Sequence, residues 1–360
     1  SPEAGRNNFA CENVKVSSQG RSHSWSRALR RGCVLAFAAV TWPAQAAVPV
    51  LDTEVIIGRP RPRVAELGYT EPEVFNPITD RNYQGGYRYG GPPVEIPQEV
   101  RYLTAIGRVT AMKRIIACTD AWYYPFAHTA PKNEPPGIDI EILGAITKKH
   151  GWEYSILWAN TGVYRGGLAG AFRQTIDRGH CDLFLGLIAT GEDDHMVRHS
   201  MAFTKPYLGV GFVLVTNGKV PKVRTLADLK GKGFKIGVPA YTPMYDNAVE
   251  LGIPVVTYFQ NNRVIDGLLR NEVDAAMVWG PSITVANRDK NVSLAMSEGF
   301  MPVKGQRFNA SWGVKSKEDG FLEMLNKDLE EMTANGEIRK IVEKYDVPYF
   351  APFPDAPSMK

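Results

Sequence analysis

The sequence predicts an α/β protein of two lobes, each a sheet flanked by helices, with two crossover strands forming a hinge. Three observations predict it. From Arg114 onward, apolar runs of strand length alternate with helical patterns; the alternation breaks at a β-rich stretch after Tyr207 and then resumes; and a further extended run at 308 to 317 precedes a long amphipathic stretch ending at Tyr345. Alternating strands and helices imply a parallel sheet covered on both faces, and two extended crossovers join two such units most simply as hinged lobes.

The elements follow in order. RIIACT (114 to 119), DIEILGAITKKHG (139 to 151), YSILWA (154 to 159), LAGAFRQTIDRGH (168 to 180) and CDLFLGLIA (181 to 189) read as strand, helix, strand, helix, strand. Both helices close on a basic residue followed by glycine, at Lys149, His150 and Gly151 and again at Arg178 and Gly179, as helix ends do. After Lys205-Pro206-Tyr207 comes the strand-like GVGFVLVTNG. The second unit, LADLKG, FKIGVPA, YDNAVELG, VVTYF, RVIDGLLRNEV and DAAMVWG, covers 226 to 280. The expected division is 113–207 plus 308–350 for the first lobe and 208–307 for the second. Residues 47–112, with GRPRPRV and YQGGYRYGGPP, show little periodicity and are expected to form an extended Pro/Gly/Tyr-rich arm.

At 360 residues the chain is long enough for two cores. Its formal charge of +4 is misleading. Residues 27 to 46, RALRRGCVLAFAAVTWPAQA, carry the basic region, short apolar region and small-residue cleavage site of a secretory signal, cut after Ala46. That apolar stretch is too short to span a bilayer. Six of the 42 basic and two of the 38 acidic residues precede residue 47, which leaves 36 of each. A nucleic-acid partner, which needs a clustered positive face, is therefore not expected, and the protein is expected in the periplasm. Of the four cysteines, Cys11 and Cys33 leave with residues 1–46, and Cys118 with Cys181 remain as an even pair in an exported chain. A bridge between them is expected, stabilising the fold by roughly 4 kcal/mol on the chain-entropy model.

From about 113 to 350 the chain resembles the periplasmic solute-binding proteins of the amino-acid type. The resemblance rests on RIIACTDAWYYPF, PPGIDIEIL, CDLFLGL, FTKPY, LADLKGKGFKIGV, EVDAAMV and EIRKIVEKYDV, in this order. In that family a ligand carboxylate is usually held by an Arg after the third strand, where a guanidinium binds it bidentately, and its ammonium by an Asp two residues beyond a V-D-A-V-V type run. This chain departs at both places. Glu192, Asp193 and Asp194 stand where the Arg belongs, with Arg198 as a displaced substitute, and Trp279 stands where the Asp belongs. An α-amino acid gripped in the family manner is not expected.

A narrower resemblance covers these departures. CDLFLGL, FTKPYLGVGFVLVT, VDAAMVWGP and the terminal IVEKYDVP are similar to the J-type (MxaJ/XoxJ) periplasmic proteins associated with quinoprotein methanol dehydrogenases. The longer GEDDH loop leans toward the branch serving lanthanide-dependent enzymes. The resemblance implies a non-catalytic accessory that binds the dehydrogenase, a component of it or its cytochrome. Alternatives in other classes are a solute receptor of an ABC transporter and a lyase-like enzyme in the same fold.

In open α/β sheets ligands lie beyond the carboxyl ends of the strands. The expected cleft residues are Asp120, Trp122, Tyr124, Trp158, Tyr164, Arg165, Thr190, Tyr241 and Trp279, with interior packing as the competing account of each aromatic. A wide aromatic groove suits an extended or planar partner better than a small zwitterion. Glu192, Asp193, Asp194 and His195 are oxygen-rich enough for a hard cation, but an acidic run is usually a solvated face, and no metal is expected. Asp120 with Asp139 or Glu141 is a conceivable acid–base pair. No G-x-S-x-G, phosphate loop, haem-attachment or zinc motif occurs, so neither a catalytic residue nor a cofactor is expected.

Overall fold

Apolar runs too long to leave any face wet decide the architecture. Described residues in the computed structural model are 87–88, 96–120, 122–128, 135–159, 167–190, 201–357 and 359, all within the compact unit Pro60–Lys360. Strands are β1 (Tyr87–Arg88), β2 (Arg114–Asp120), β3 (Trp122–Tyr123), β4 (Ala127–His128), β5 (Glu153–Ala159), β6 (Leu183–Ala189), β7 (Met201–Phe203), β8 (Leu208–Thr216), β9 (Ile236–Pro239), β10 (Val255–Tyr258), β11 (Ala275–Trp279) and β12 (Arg307–Lys315). Helices are α1 (Ala105–Met112), α2 (Ile138–His150), α3 (Gly167–Gln174), α4 (Pro243–Glu250), α5 (Asn261–Leu269), α6 (Pro281–Lys290), α7 (Asp319–Ala334) and α8 (Glu337–Lys344).

The first sheet runs β1-β5-β2-β6-β12-β8, with β7 also on β12. Strands β2, β5 and β6 are parallel, and β12 returns antiparallel between β6 and β8. In the second sheet β9 is parallel to both β10 and β11, and β8 pairs antiparallel with β11. The fold is thus the expected two-lobed one, but its sheets are mixed where the alternation implied parallel strands, because the crossing strands β8 and β12 run antiparallel to their neighbours. Each sheet has its own core. In the first, Ile115, Ala117, Ile142, Leu143, Phe172, Phe184, Trp312 and Phe321 are sealed; in the second, Val213, Ile236, Val264, Leu268, Met277 and Phe300 are. Each such aliphatic or aromatic side chain contributes roughly 1.5–3 kcal/mol by leaving water.

Helix α1 lies within 47–112, where the sequence suggests an arm. Its Ala105 and Val109 are buried in the first core. Thr104 caps it, accepting from the Gly107 amide at 3.3 Å. The helix is held by charge as well as packing. Arg108 Nε donates to Asp182 Oδ1 at 2.8 Å, and the Ile116 amide donates to Asp182 Oδ2 at 2.8 Å. Burial raises the Asp182 carboxyl above its usual range, and the Arg108 guanidinium opposes that rise. Next to it, Cys118 and Cys181 form a disulfide with Cα atoms 5.8 Å apart, tying β2 to the turn before β6.

Removing one partner of a buried ion pair leaves the other uncompensated. Arg108→Ala is therefore expected to lower stability by about 3 kcal/mol at neutral pH, measured by urea unfolding. The loss should shrink in acid, where Asp182 takes up a proton.

Candidate functional site

The two sheets share one strand. The first half of β8, Leu208 to Gly211, pairs with Ala310 to Arg307 of β12, while its second half, Phe212 to Thr216, pairs with Trp279 to Ala275 of β11. At the changeover the Gly280 amide donates to the Gly211 carbonyl at 2.9 Å and the Phe212 amide to the Gln306 carbonyl at 3.0 Å. Side chains directly opposite across a ladder share a face. Phe212 and Trp279 are such a pair, and Phe308 joins them from β12.

The half-buried Trp279 ring lies 5.5 Å from Phe212 and 5.8 Å from Phe308, tilted by 60° and 58°. Such offset contacts are favourable beyond area alone. Its backbone amide donates to Asn261 Oδ1 at 3.3 Å. The tryptophan therefore packs over both hinge strands, at the base of the space between the lobes.

Beyond the ends of β9, β10 and β11 the second lobe presents Ala240–Tyr241–Thr242, Phe259–Gln260–Asn261 and Gly280–Pro281–Ser282, none of them Asp, Glu, His, Lys or Arg. Tyr241 is 94% and Phe259 81% exposed, with ring centroids 6.5 Å apart. Tyr241 adopts the left-handed region, φ 57°, which costs a non-glycine residue of order 1 kcal/mol. The turn is held by Thr242 Oγ1 donating to the Pro239 carbonyl at 2.6 Å and the Ala240 amide donating to the Tyr258 carbonyl at 2.6 Å.

On the first lobe, Asp120 at the end of β2 is buried and Thr190 beyond β6 is exposed. Trp122 lies in β3, paired to β4. Tyr124 is half-buried: the Arg288 guanidinium of α6 lies 4.1 Å above its ring, His128 meets it edge-on at 4.6 Å, and Tyr345 stands 6.3 Å away. Because Arg288 comes from the second lobe, Tyr124 is a contact between lobes. Trp158 is a correction. It is 1% exposed, in the first core, on a stretch of β5 buried on both faces. Tyr164, Arg165, Arg198, Glu192, Asp193, Asp194, His195 and residues 27–46, where a secretory signal is expected, lie outside the described residues. Among the described residues no group of three metal-ligating side chains occurs, and no helix is long and apolar enough to cross a membrane.

The acids named from sequence are differently placed. Asp139, in the first turn of α2, is fully buried; its Oδ1 accepts from Tyr207 Oη and from Trp312 Nε1 at 2.9 Å, and its buried Oδ2 has no hydrogen-bond partner among the described residues. Burial pushes its pKa up to about 7, against the lowering effect of those two donors. Glu141 accepts from Tyr345 Oη and Lys344 Nζ, both at 2.7 Å. Burial, followed by the charges of Asp139 and Asp120, also raises Tyr123. Sequence reasoning missed Phe212, Phe308, Tyr207 and Trp312 as partners. The alternation in GVGFVLV and RFNASWGVK places Phe212 and Phe308 on one face, and only the pairing of β8 with β12 brings them together.

A family model described as "Bacterial extracellular solute-binding proteins, family 3" matches residues 115–347. The chain belongs to this family. It is 23% identical over 224 residues to the "Probable amino-acid-binding protein YxeM" of Bacillus subtilis (strain 168), covering 62% of this chain and 80% of that one. Two solved structures are similar in fold. One is the second substrate binding domain of a putative amino acid ABC transporter from Streptococcus pneumoniae Canada MDR_19A, 24% identical over 64% of this chain and 99% of that one, TM-score 0.51. The other is an ancestral cyclohexadienyl dehydratase, 18% identical over 67% and 95%, TM-score 0.52. As a family 3 chain it is a solute-binding protein of the extracellular class, with its hinge floored by rings.

The Asp139 carboxyl keeps a proton in the folded chain that the unfolded chain releases near pH 4. Between about pH 4 and 7 the folded state thus binds more protons, and this residue's contribution to stability falls as pH rises. Asp139→Asn is expected to reduce the stability lost between pH 5 and pH 8, followed by urea midpoints at both.

Proposed function

We propose that this family 3 protein is a non-catalytic periplasmic accessory of a quinoprotein methanol dehydrogenase, of the lanthanide-dependent branch, binding the enzyme or a component of it between the lobes. The observation that carries the reading is Trp279 seated on Phe212 and Phe308. Where the amino-acid binders keep a carboxylate for the ligand's ammonium, this chain has a ring that already belongs to the hinge. An ammonium brought there would lose its water without gaining an opposite charge, a cost of several kcal/mol. A flat, carbon-rich segment of a partner loses far less water-bound polarity and gains contact with Tyr241 and Phe259. The similarity of VDAAMVWGP and FTKPYLGVGFVLVT to the J-type proteins supplies the identity of the partner.

Absence of catalysis is supported by the state of the acids. Asp139 is sealed beneath Tyr207 and Trp312, and Glu141 is engaged by Tyr345 and Lys344. Both carboxylates are thus committed to hydrogen bonds within the fold, which supports a binding role over acid–base work.

A second reading is favoured by the names of relatives. A probable amino-acid-binding protein and a domain of a putative amino acid ABC transporter both cover much of this chain, which supports a receptor that delivers a solute to a permease. The two readings separate on binding. On the accessory reading the full chain retains purified quinoprotein methanol dehydrogenase on a column and shows no thermal shift with the common amino acids. A ligand at a hundred times its dissociation constant adds about 2.7 kcal/mol, a shift of several degrees. Such a shift with an amino acid, together with no retention of the dehydrogenase, overturns the accessory reading in favour of the receptor. Tyr241→Ala combined with Phe259→Ala, both exposed, is expected to weaken retention at least tenfold while leaving the melting temperature within about 2 °C, since surface changes usually move stability little.

A further inference from the structure

The last described stretch of the chain crosses from the first lobe to the second along the hinge, and Met359 beyond it packs against the first core again. Tyr345 and Val347 are buried in the first core, and Tyr349 packs against that core beneath the Arg339 guanidinium at 4.4 Å. One residue later the allegiance changes: Phe350 and Phe353 are buried members of the second core, and Ala356 packs against it. At that point the segment attaches to both hinge strands. The Gly209 amide of β8 donates to the Phe350 carbonyl at 2.9 Å. Asn309 of β12 grips the Phe353 backbone from both sides, its Nδ2 donating to the carbonyl at 2.9 Å and its Oδ1 accepting from the amide at 2.8 Å. Arg307 pairs with Asp355 and lies 5.0 Å over the Phe353 ring.

The seat is cut to fit. A Cβ on Gly209 would stand 2.6 Å from the Ala351 carbonyl oxygen and 2.8 Å from the Phe353 ring, so only glycine lets the segment this close. Register puts Gly209, Arg307 and Asn309 on the face opposite Val210, Phe308 and Phe212. The segment thus lies behind the hinge while Trp279 packs in front of it. Its sequence, PYFAPFPDAP, has proline at 348, 352, 354 and 357, which fixes φ and leaves little freedom to lose on docking. The family match stops at residue 347, so this crossing lies beyond the matched region.

We propose that residues 348–357 form a hinge strap: anchored in both cores and bonded to both crossing strands, they restrict the angle between the lobes. Rotation about the Gly211–Phe212 changeover moves the second core relative to the first, and the strap cannot follow without withdrawing Phe350 and Phe353 or breaking the Asn309 clasp. It sets how far the lobes separate whatever the ligand is.

The test measures lobe separation without any ligand. Spin labels on genetically encoded azido residues at Glu323 and Lys230, both exposed and one on each lobe, leave the cysteines untouched, and pulsed EPR gives the distance distribution. In the full chain the distribution is expected to be narrow. Ending the chain after Pro348, or substituting Asn309→Ala, is expected to broaden it at least twofold, with circular dichroism confirming a folded protein. An unchanged distribution in a folded truncated chain overturns the proposal. If the truncated chain fails to fold, Asn309→Ala, which keeps both phenylalanines in the chain, decides: broadening supports the strap, and a distribution as narrow as that of the parent overturns it.

Discussion

One strand serving two sheets is the constraint on which the rest depends. Strand β8 satisfies its backbone against β12 over its first half and against β11 over its second. Every backbone donor and acceptor in a buried strand needs a partner, so the changeover cannot wander along the chain. It is pinned at Gly211 and Phe212 by bonds to Gly280 and Gln306. Once that point is fixed, the carboxyl ends of β9 and β11, the base on which Trp279 packs and the line the terminal segment must follow are fixed with it.

Replacing an acid by a ring at the hinge changes what the lobes do for each other. A carboxylate there would keep water in the empty protein and wait for an opposite charge. Trp279 instead gains contact at all times, with Phe212 from the strand beside it and Phe308 from the strand beyond. Arg288 over Tyr124 and Thr284 Oγ1 donating to the Tyr345 carbonyl at 2.6 Å add polar contacts between α6 and the first lobe. The lobes thus touch near the hinge, while Tyr241 and Phe259 face solvent at the outer edge.

The fold was legible because its signals are local. Strand-length apolar runs between helical patterns placed the longer strands and most of the helices from Arg114 to Tyr345, though not α6 or the short β3, β4 and β7, and two cysteines left over after export predicted the bridge that Cys118 and Cys181 form. Helix α1 was hidden because AIGRVTAM is short and follows a stretch rich in proline and glycine; it is held by Asp182 and by the first core, both supplied from far along the chain. Trp158 was misplaced for a related reason. In a strand buried on both faces the period of two vanishes, so YSILWA does not tell a ring inside the sheet from one at its rim. For Trp279 the sequence left cleft lining and interior packing open, because Phe212 and Phe308, the rings it packs on, meet it only through non-local pairing.

The order of strands in the first sheet has a consequence for how the chain is made. Strand β6 borders β12, which follows every strand of the second lobe along the chain, so the first sheet keeps a bare edge until β12 arrives. The sheet of the second lobe is built from consecutive residues, 208–307, and its core takes Phe350 and Phe353 from beyond them. A polypeptide threaded out amino terminus first therefore finishes the sheet of its middle before that of its beginning, and during that interval the row of open amides and carbonyls along β6 is exposed to any strand that passes.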